Sequence, residues 1–355
     1  MNESTSQATA PTEAVSFFCP IEPSLHPDVH IVRERAESWL SHHGYFGSAD
    51  NRPRSLATRS AEFSARMTPT AQTDRLQVAA EWTYWGFAFD DTFCDAEPWS
   101  GRPAEFAELS GRMGRMLEAP GYTPTDSVHL QVLAELRDRF ARFATPLQHR
   151  RWVLAQRAWL MGVTWQISNQ SRGLMPSLDD YLAMRINSAA GEPVTSMIEM
   201  VNGAEVPSGE MELLSVRACT EMSRTLASLD NDLHSYAKDV RRREADQNIV
   251  NVIAGEQSCG TEAAVRAAMG VRDRIMCRFL RVRAAVAGRA STATRWYLTD
   301  LGHVVRGNLD WGLSTPRYHL DVPAEPVTSW AESPSDAGQD PPAPCVAWWW
   351  DRSLV

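Results

Sequence analysis

Three carboxylates fall within six residues in the run Phe87-Ala88-Phe89-Asp90-Asp91-Thr92-Phe93-Cys94-Asp95, directly after an apolar helical stretch. A helix turns about 100° per residue, so Asp91 and Asp95 share a face and Asp90 sits near its edge. Phe87 lies one turn deeper on that wall, and Leu76, Ala80 and Tyr84 continue it inward. Carboxylates are disfavoured at the negative end of a helix dipole unless a cation offsets them. Hard divalent ions take oxygen ligands, and Mg²⁺ characteristically joins one or two carboxylates to phosphate oxygens. The stretch reads as a metal site serving a phosphate, with a solvated acidic helix end as the plain alternative.

A second cluster follows at Leu229-Asp230-Asn231-Asp232-Leu233-His234-Ser235-Tyr236-Ala237-Lys238-Asp239. Asn231, Ser235 and Asp239 recur every four residues, which lines up an amide oxygen, a hydroxyl and a carboxylate on one helix face. That face is an oxygen chelate. Ser and Asn are mediocre helix formers, so a merely polar helix surface gives no reason for them at interior positions. Lys238, beside Asp239, reaches toward a phosphate, whereas Asp232 points off the chelating face and reads as solvated. Arg224, seven residues before Asn231, falls about 20° away on the same face; if that face continues into a pocket it needs a buried partner, so either the helix rotates or a carboxylate meets it.

Positioning two such clusters requires long helices. Apolar residues recur at three and four through most of the chain and strand-like alternation is scarce. Helices are expected over roughly 27–43, 70–93, 101–118, 126–144, 147–171, 178–190, 208–216, 217–242, 261–287 and 290–313. Ser177 followed by Asp180 resembles a capping box opening the helix that carries Arg185. Gly191 and Pro193 break that helix, and Gly121 with Pro124 separates two others. The expected fold is all-α, a single bundle of about ten or more helices around a deep pocket suited to a small apolar ligand.

The chain has 355 residues, 43% hydrophobic, with a net charge of −9 and mixed signs throughout. Neither the basic footprint of a nucleic-acid binder nor a membrane span is present. Residues 1–15 read as a flexible polar leader without an apolar signal core, and 16–320 as one domain. Residues 321–355 are Pro- and Ala-rich and read as a flexible tail ending in the cluster Trp348-Trp349-Trp350. Six scattered cysteines without a CxxC pair suggest reduced thiols and a cytoplasmic protein.

Asp90-Asp91-xxx-Asp95 together with Asn231-Asp232-xx-Ser235-xx-Lys238-Asp239 resembles the paired metal motifs of bacterial class I terpene synthases. The resemblance covers roughly residues 17–320, and it implies the class I terpenoid synthase fold. It also implies that Asp90, Asp91, Asp95, Asn231, Ser235 and Asp239 hold three Mg²⁺ ions, replaceable by Mn²⁺, which clamp a prenyl diphosphate. Asp239 departs from the family's more frequent Glu. Arg185, 46 residues before Asn231, stands where the family senses diphosphate, with Ser188 at the linker and Ala189 at the effector position. Arg317-Tyr318 looks like the terminal pair that binds diphosphate, joined by Lys238. Asn308-Leu309-Asp310-Trp311 precedes that pair, and Phe18-Cys19-Pro20 with Trp39 fits the N-terminal segment.

The implied chemistry is ionisation of an allylic C–O bond followed by carbocation cyclisation, with Phe87 and Trp311, then Phe89 and Trp165, as aromatic lining. Farnesyl diphosphate is the expected substrate, giving a sesquiterpene hydrocarbon or alcohol, and geranylgeranyl diphosphate is the rival. A prenyl diphosphate synthase would carry a second Asp-rich motif, and a squalene-synthase-like enzyme a second DxxxD. A noncatalytic isoprenoid-binding bundle would leave the ligand sets coincidental. No nucleic acid or inserted membrane partner is implied, and a homodimer is compatible with the sequence.

Overall fold

A computed structural model describes residues 15–94, 98–242, 247–318 and 329–355, with the backbone alone for 237–242. Among these residues twelve helices have eight or more residues. In chain order they are α1 (Val29–His42), α2 (Ser60–Met67), α3 (Thr73–Phe93), α4 (Pro103–Glu118), α5 (Val128–Phe143) and α6 (Pro146–Ser171). After them come α7 (Leu178–Ser188), α8 (Gly191–Asn202), α9 (Leu214–Arg242), α10 (Ile249–Gln257), α11 (Thr261–Ala287) and α12 (Thr292–Ser314). The expected all-α bundle is what folds.

The local grammar is explicit at several ends. Thr145 caps α6 in a reciprocal box with Gln148, and Pro146 occupies the first turn, where its missing N–H costs nothing. Ser177 caps α7 by accepting the Asp180 N–H at 3.2 Å, while its own hydroxyl donates to the Asp180 carboxylate. This is a one-way cap rather than the full box. The break after α7 falls on Ala190, which adopts φ 59°, and Gly191 already begins α8. Holding an alanine there costs about 1–2 kcal/mol, and the surrounding packing over-determines it.

α9 illustrates why sequence becomes layer. Val216, Cys219, Met222, Leu226, Leu229, Leu233 and Tyr236 recur at three and four and are all buried. They pack against α11 and α12, forming one apolar cluster with α7 and α10. A second cluster gathers α1 and α3 to α6. Asp230, next to the chelating face, is buried against Arg272 of α11 at 2.8 Å. Arg272 also meets Asp273 and the Phe18 carbonyl. This fully buried ion set fixes the rotation of α9, because an unpaired charge there would be severely unfavourable.

Three expectations need correction. The 208–216 and 217–242 segments become a single turn at Ser208–Met211 and one long helix. Helices α2, α8 and α10 were not anticipated, being short or, for α8, opening with the Gly191 and Pro193 that read as a break. The tail is not loose in its described part. Ser329–Ala331 pairs in parallel with Ser16–Phe18, and Val346 and Trp349 of the turn Pro344–Trp350 are fully buried. Trp349 donates to Glu221 at 3.1 Å, and Arg278 donates to the Trp349 carbonyl at 2.6 Å. The apolar side chains clustered at its end outweigh the segment's average polarity.

Asp300 of α12 gives a stability prediction. It is buried with Asn202 as its donor at 2.6 Å, and desolvation raises its carboxyl to about 7. The folded state therefore holds this proton across the range from about 4 to 7, where the unfolded chain has released it. Stability contributed by the group is full below the unfolded value and is lost as pH rises, by at most about 1.4 kcal/mol per unit. Asp300→Asn keeps an acceptor for Asn202 and is expected to melt higher than the parent at pH 8, the gap closing toward pH 4 in parallel thermal melts.

Candidate active site

A cavity lies at the seam of the two apolar clusters, with Val194 of α8 packed on both. α3 contributes Trp82, Thr83, Gly86, Phe87 and Asp90, so the wall follows the 83–86/87–90 line. Leu76, Ala80 and Tyr84, expected to continue that wall, are buried on another face of α3. From α9 come Asn231, Asp232 and Ser235, and from α7 and its broken end come Arg185, Ser188 and Ala189. Arg317 and Tyr318 close the mouth from the turn Pro316–Tyr318. Asp90 and Asn231 thus face one chamber from two separate helices.

The Arg-Tyr turn joins both clusters. Arg317 grips Asp91 with two bonds of 2.7 and 3.0 Å and lies 4.7 Å above the Phe87 ring. Tyr318 donates to the Asn231 side-chain oxygen at 2.9 Å. Its ring stacks on His234, whose place exists because Gly312 has no Cβ; an added one would lie 2.4 Å from the imidazole. Arg54, which the sequence did not single out, reaches Asp91 at 2.8 Å. Burial pushes the Asp91 carboxyl up, but Arg317 and Arg54 outweigh it and hold it at about 2. Asp90 behaves oppositely. Desolvation first, and then the neighbouring Asp91 charge, raise its carboxyl, the condition a bound cation would relieve.

Asp232 overturns its reading as a solvated side chain. It is 3% exposed, accepts the Tyr181 hydroxyl, and pairs with Arg185 at 2.6 Å. Burial works against the Arg185 charge, yet Asp232 and Tyr181 more than compensate and hold it firmly protonated. The second oxygen of Asp232 also takes the Ile249 N–H at 3.3 Å, tying α10 to the same point.

The aromatic lining differs from expectation too. Phe87 lines the chamber, joined by Phe63, Trp82 and Trp159. Trp311 does not; it stacks behind Phe87 at 5.4 Å and donates to the Thr58 carbonyl. Phe89 packs away against Trp85 and Phe93, and Trp165 is 40% exposed. Rings on a helix buried on most sides, such as the middle of α3, carry no sequence mark of which neighbour they meet.

Asp95 lies outside the described residues, as do the side chains of Lys238 and Asp239. Among the described residues no three His, Cys, Asp or Glu side chains gather as a metal site. Those present nonetheless fit a hard cation. Asp90, Asn231 and Ser235 offer a carboxylate, an amide oxygen and a hydroxyl to one chamber, with no sulfur or imidazole ligand required. No helix among the described residues is long and apolar enough to cross a membrane.

An all-α bundle whose apolar, ring-lined chamber ends in carboxylate, amide and guanidinium groups defines an enzyme that ionises an isoprenoid diphosphate. Residues 81–277 match the family model described as terpene synthase family 2, C-terminal metal binding. The chain is 44% identical to spiroviolene synthase of Streptomyces violens, covering 96% of this chain and 97% of that one. It is 31% identical to a (+)-T-muurolol synthase of Streptomyces clavuligerus, named as cyclising (2E,6E)-farnesyl diphosphate, over 94% of this chain and 81% of that one. The crystal structure of SVS_A2, a protein from ancestral sequence reconstruction, superposes with a TM-score of 0.88 at 45% identity, over 97% of this chain and all of that one. The chain belongs to the terpene synthase family. It is a terpene cyclase, a carbon–oxygen lyase acting on a prenyl diphosphate, and its family uses a divalent metal.

Proposed function

We propose that the substrate is farnesyl diphosphate, that the metal is Mg²⁺ in three ions, and that the two clusters hold it. The observation that carries this is the Arg317-Tyr318 turn, which ties Asp91 of α3 to Asn231 of α9 across the mouth of one chamber. Asp90, Asn231 and Ser235, with Asp95, Asp239 and Asp91, would be the ligands. Bound divalent cations supply neutralisation of the charge developing on the leaving oxygens. Arg185 and Arg317 present planar forks matched to phosphate oxygens, Lys238 adds a point charge, and Tyr318 adds a hydroxyl. Ser188 and Ala189 line the chamber beside Arg185, at the end of α7, where a shift of that helix would reach the reacting carbons.

Heterolysis of the C–O bond sends its electron pair to diphosphate and leaves an allylic cation in the chamber. Phe63, Phe87, Trp82 and Trp159 line the chamber around it, and a ring face turned to such a cation is worth about 0.5–2 kcal/mol. Ring closure, then loss of a proton or capture of water, ends the sequence. One observation favours twenty carbons as the second reading. Gly86, Ala189, Ala190 and Ala227 all lie on the chamber wall, where small side chains take up the least room.

The test is turnover of ten-, fifteen- and twenty-carbon diphosphates with Mg²⁺, read by gas chromatography. A cyclic C15 hydrocarbon or alcohol is expected, at a rate at least ~100-fold lower in EDTA and restored by added Mg²⁺. Cyclic C20 products would select the second reading. Elongated diphosphates, or undiminished turnover in chelator, would overturn both.

A further inference from the structure

Arg224 is a full positive charge on the helix face that lines a chamber built for a carbocation. Its stem and its head face different spaces. The stem lies on Gly191, the residue after the left-handed Ala190, where a Cβ would come 3.0 Å from Arg224 Cβ. The head turns outward, its Nε donating to Thr195 Oγ1 at 2.8 Å and its Nη1 3.5 Å from the Glu192 carboxylate. Glu192 and Thr195 border a second cavity of about 280 Å³, lined also by Arg217, Glu221 and Tyr297 and reaching the exposed Glu212. Arg224 is the one described residue common to the linings of this outer cavity and the catalytic chamber.

We infer that Arg224 is a plug: its aliphatic stem seals the chamber from the water of the outer cavity, and Glu192 and Thr195 hold the head outside. The wall between the two spaces is only α8 thick, since Gly191 and Val194 face inward while Glu192 and Thr195 face outward. Where the wall residue is glycine, the arginine stem supplies the missing side-chain layer. Glu192 matches the guanidinium charge, which otherwise opposes the cation forming on the other side. With the stem removed, a water can reach that cation. Its oxygen lone pair forms a new C–O bond, and the proton released from the oxonium passes to the outer water, giving an alcohol in place of an olefin. The plug sets the ratio of water capture to proton loss.

This rests on prenyl diphosphate turnover by the parent enzyme, which is measured first. No turnover of any chain length would sink that reading before a variant is made. Reactions in H₂¹⁸O with the preferred substrate then compare parent, Arg224→Ala and Arg224→Met. The alanine variant is expected to give new ¹⁸O-bearing products, with the labelled fraction up about fivefold, while methionine, which restores the stem without the charge, returns the parent profile. Should Arg224→Ala not fold, Glu192→Ala, which frees the head, is expected to give a smaller rise in label. A folded alanine or Glu192 variant with an unchanged labelled fraction overturns the plug, as does a methionine variant that leaks like alanine.

Discussion

Asp90→Asn is expected to lower kcat/KM by about 10²–10³ while leaving the metal-free protein as stable as the parent or more so. Both effects come from one property of the site. Asp90 stands in the chamber wall with Asp91 beside it, and desolvation and that neighbour both oppose its charge. Asp91 has Arg317 and Arg54, and its own charge is satisfied before any cation arrives. Asp90 therefore keeps the unmet demand for positive charge, which is what a metal ligand should have. The isosteric amide removes an unfavourable charge from the resting enzyme and a ligand from the working one. Steady-state kinetics across a Mg²⁺ titration, beside thermal melts in EDTA, check the pair. A melting temperature well below the parent's would assign Asp90 a structural role, and parent-like kinetics would remove it from the ligand set. Asp91→Asn should behave in the opposite way in EDTA and melt lower, since two guanidiniums would lose their anion.

The sequence was legible where one helix carries its own answer. The three-and-four periodicity gave the bundle, and the i, i+4 spacing of Asn231 and Ser235 placed both on the chamber wall, as the i, i+3 spacing did Phe87 with Asp90. It was not legible where a side chain's state depends on a distant element. Asp232 reads as solvated because it lies about 100° off the Asn231 direction and so leaves the chelating face, whereas Tyr181 and Arg185 approach it from α7. Arg54 is one arginine in a polar connection, and only the fold brings it to Asp91 from 37 residues upstream. Trp311 carries the right residue type one layer too deep. The tail misled through averaging: its prolines and serines set the composition, and Val346, Trp349 and Leu354 set the packing. Arg224 lies about 20° from Asn231 on the wheel, which left open whether it enters the chamber or meets a carboxylate, and the separate directions of stem and head cannot be read from a Cα angle.

The largest loss of stability is expected from Asp232→Asn, about 3–5 kcal/mol, together with a drop in kcat/KM of at least ~10-fold. The carboxylate has three tasks at once. It neutralises Arg185 at 2.6 Å, receives the Tyr181 hydroxyl, and takes the Ile249 N–H at 3.3 Å. An amide keeps the shape but withdraws the charge, leaving the Arg185 guanidinium in the protein without an anion. Arg185 then has reason to reach for other oxygens, including those of the nearby metal-ligand set, and its fork is no longer aimed at diphosphate. Tyr181→Phe removes one neutral donor and should cost about 1 kcal/mol, with kcat/KM within a few-fold of the parent. Arg185→Lys keeps a cation for Asp232, so stability falls less than for Asp232→Asn, while the loss of the planar fork lowers kcat/KM by a similar factor. Denaturant midpoints and initial rates on the three variants separate the roles. If Asp232→Asn keeps the parent's midpoint, the buried pair does not hold α7 to α9. If it loses stability but not rate, Arg185 binds diphosphate without needing Asp232 to aim it.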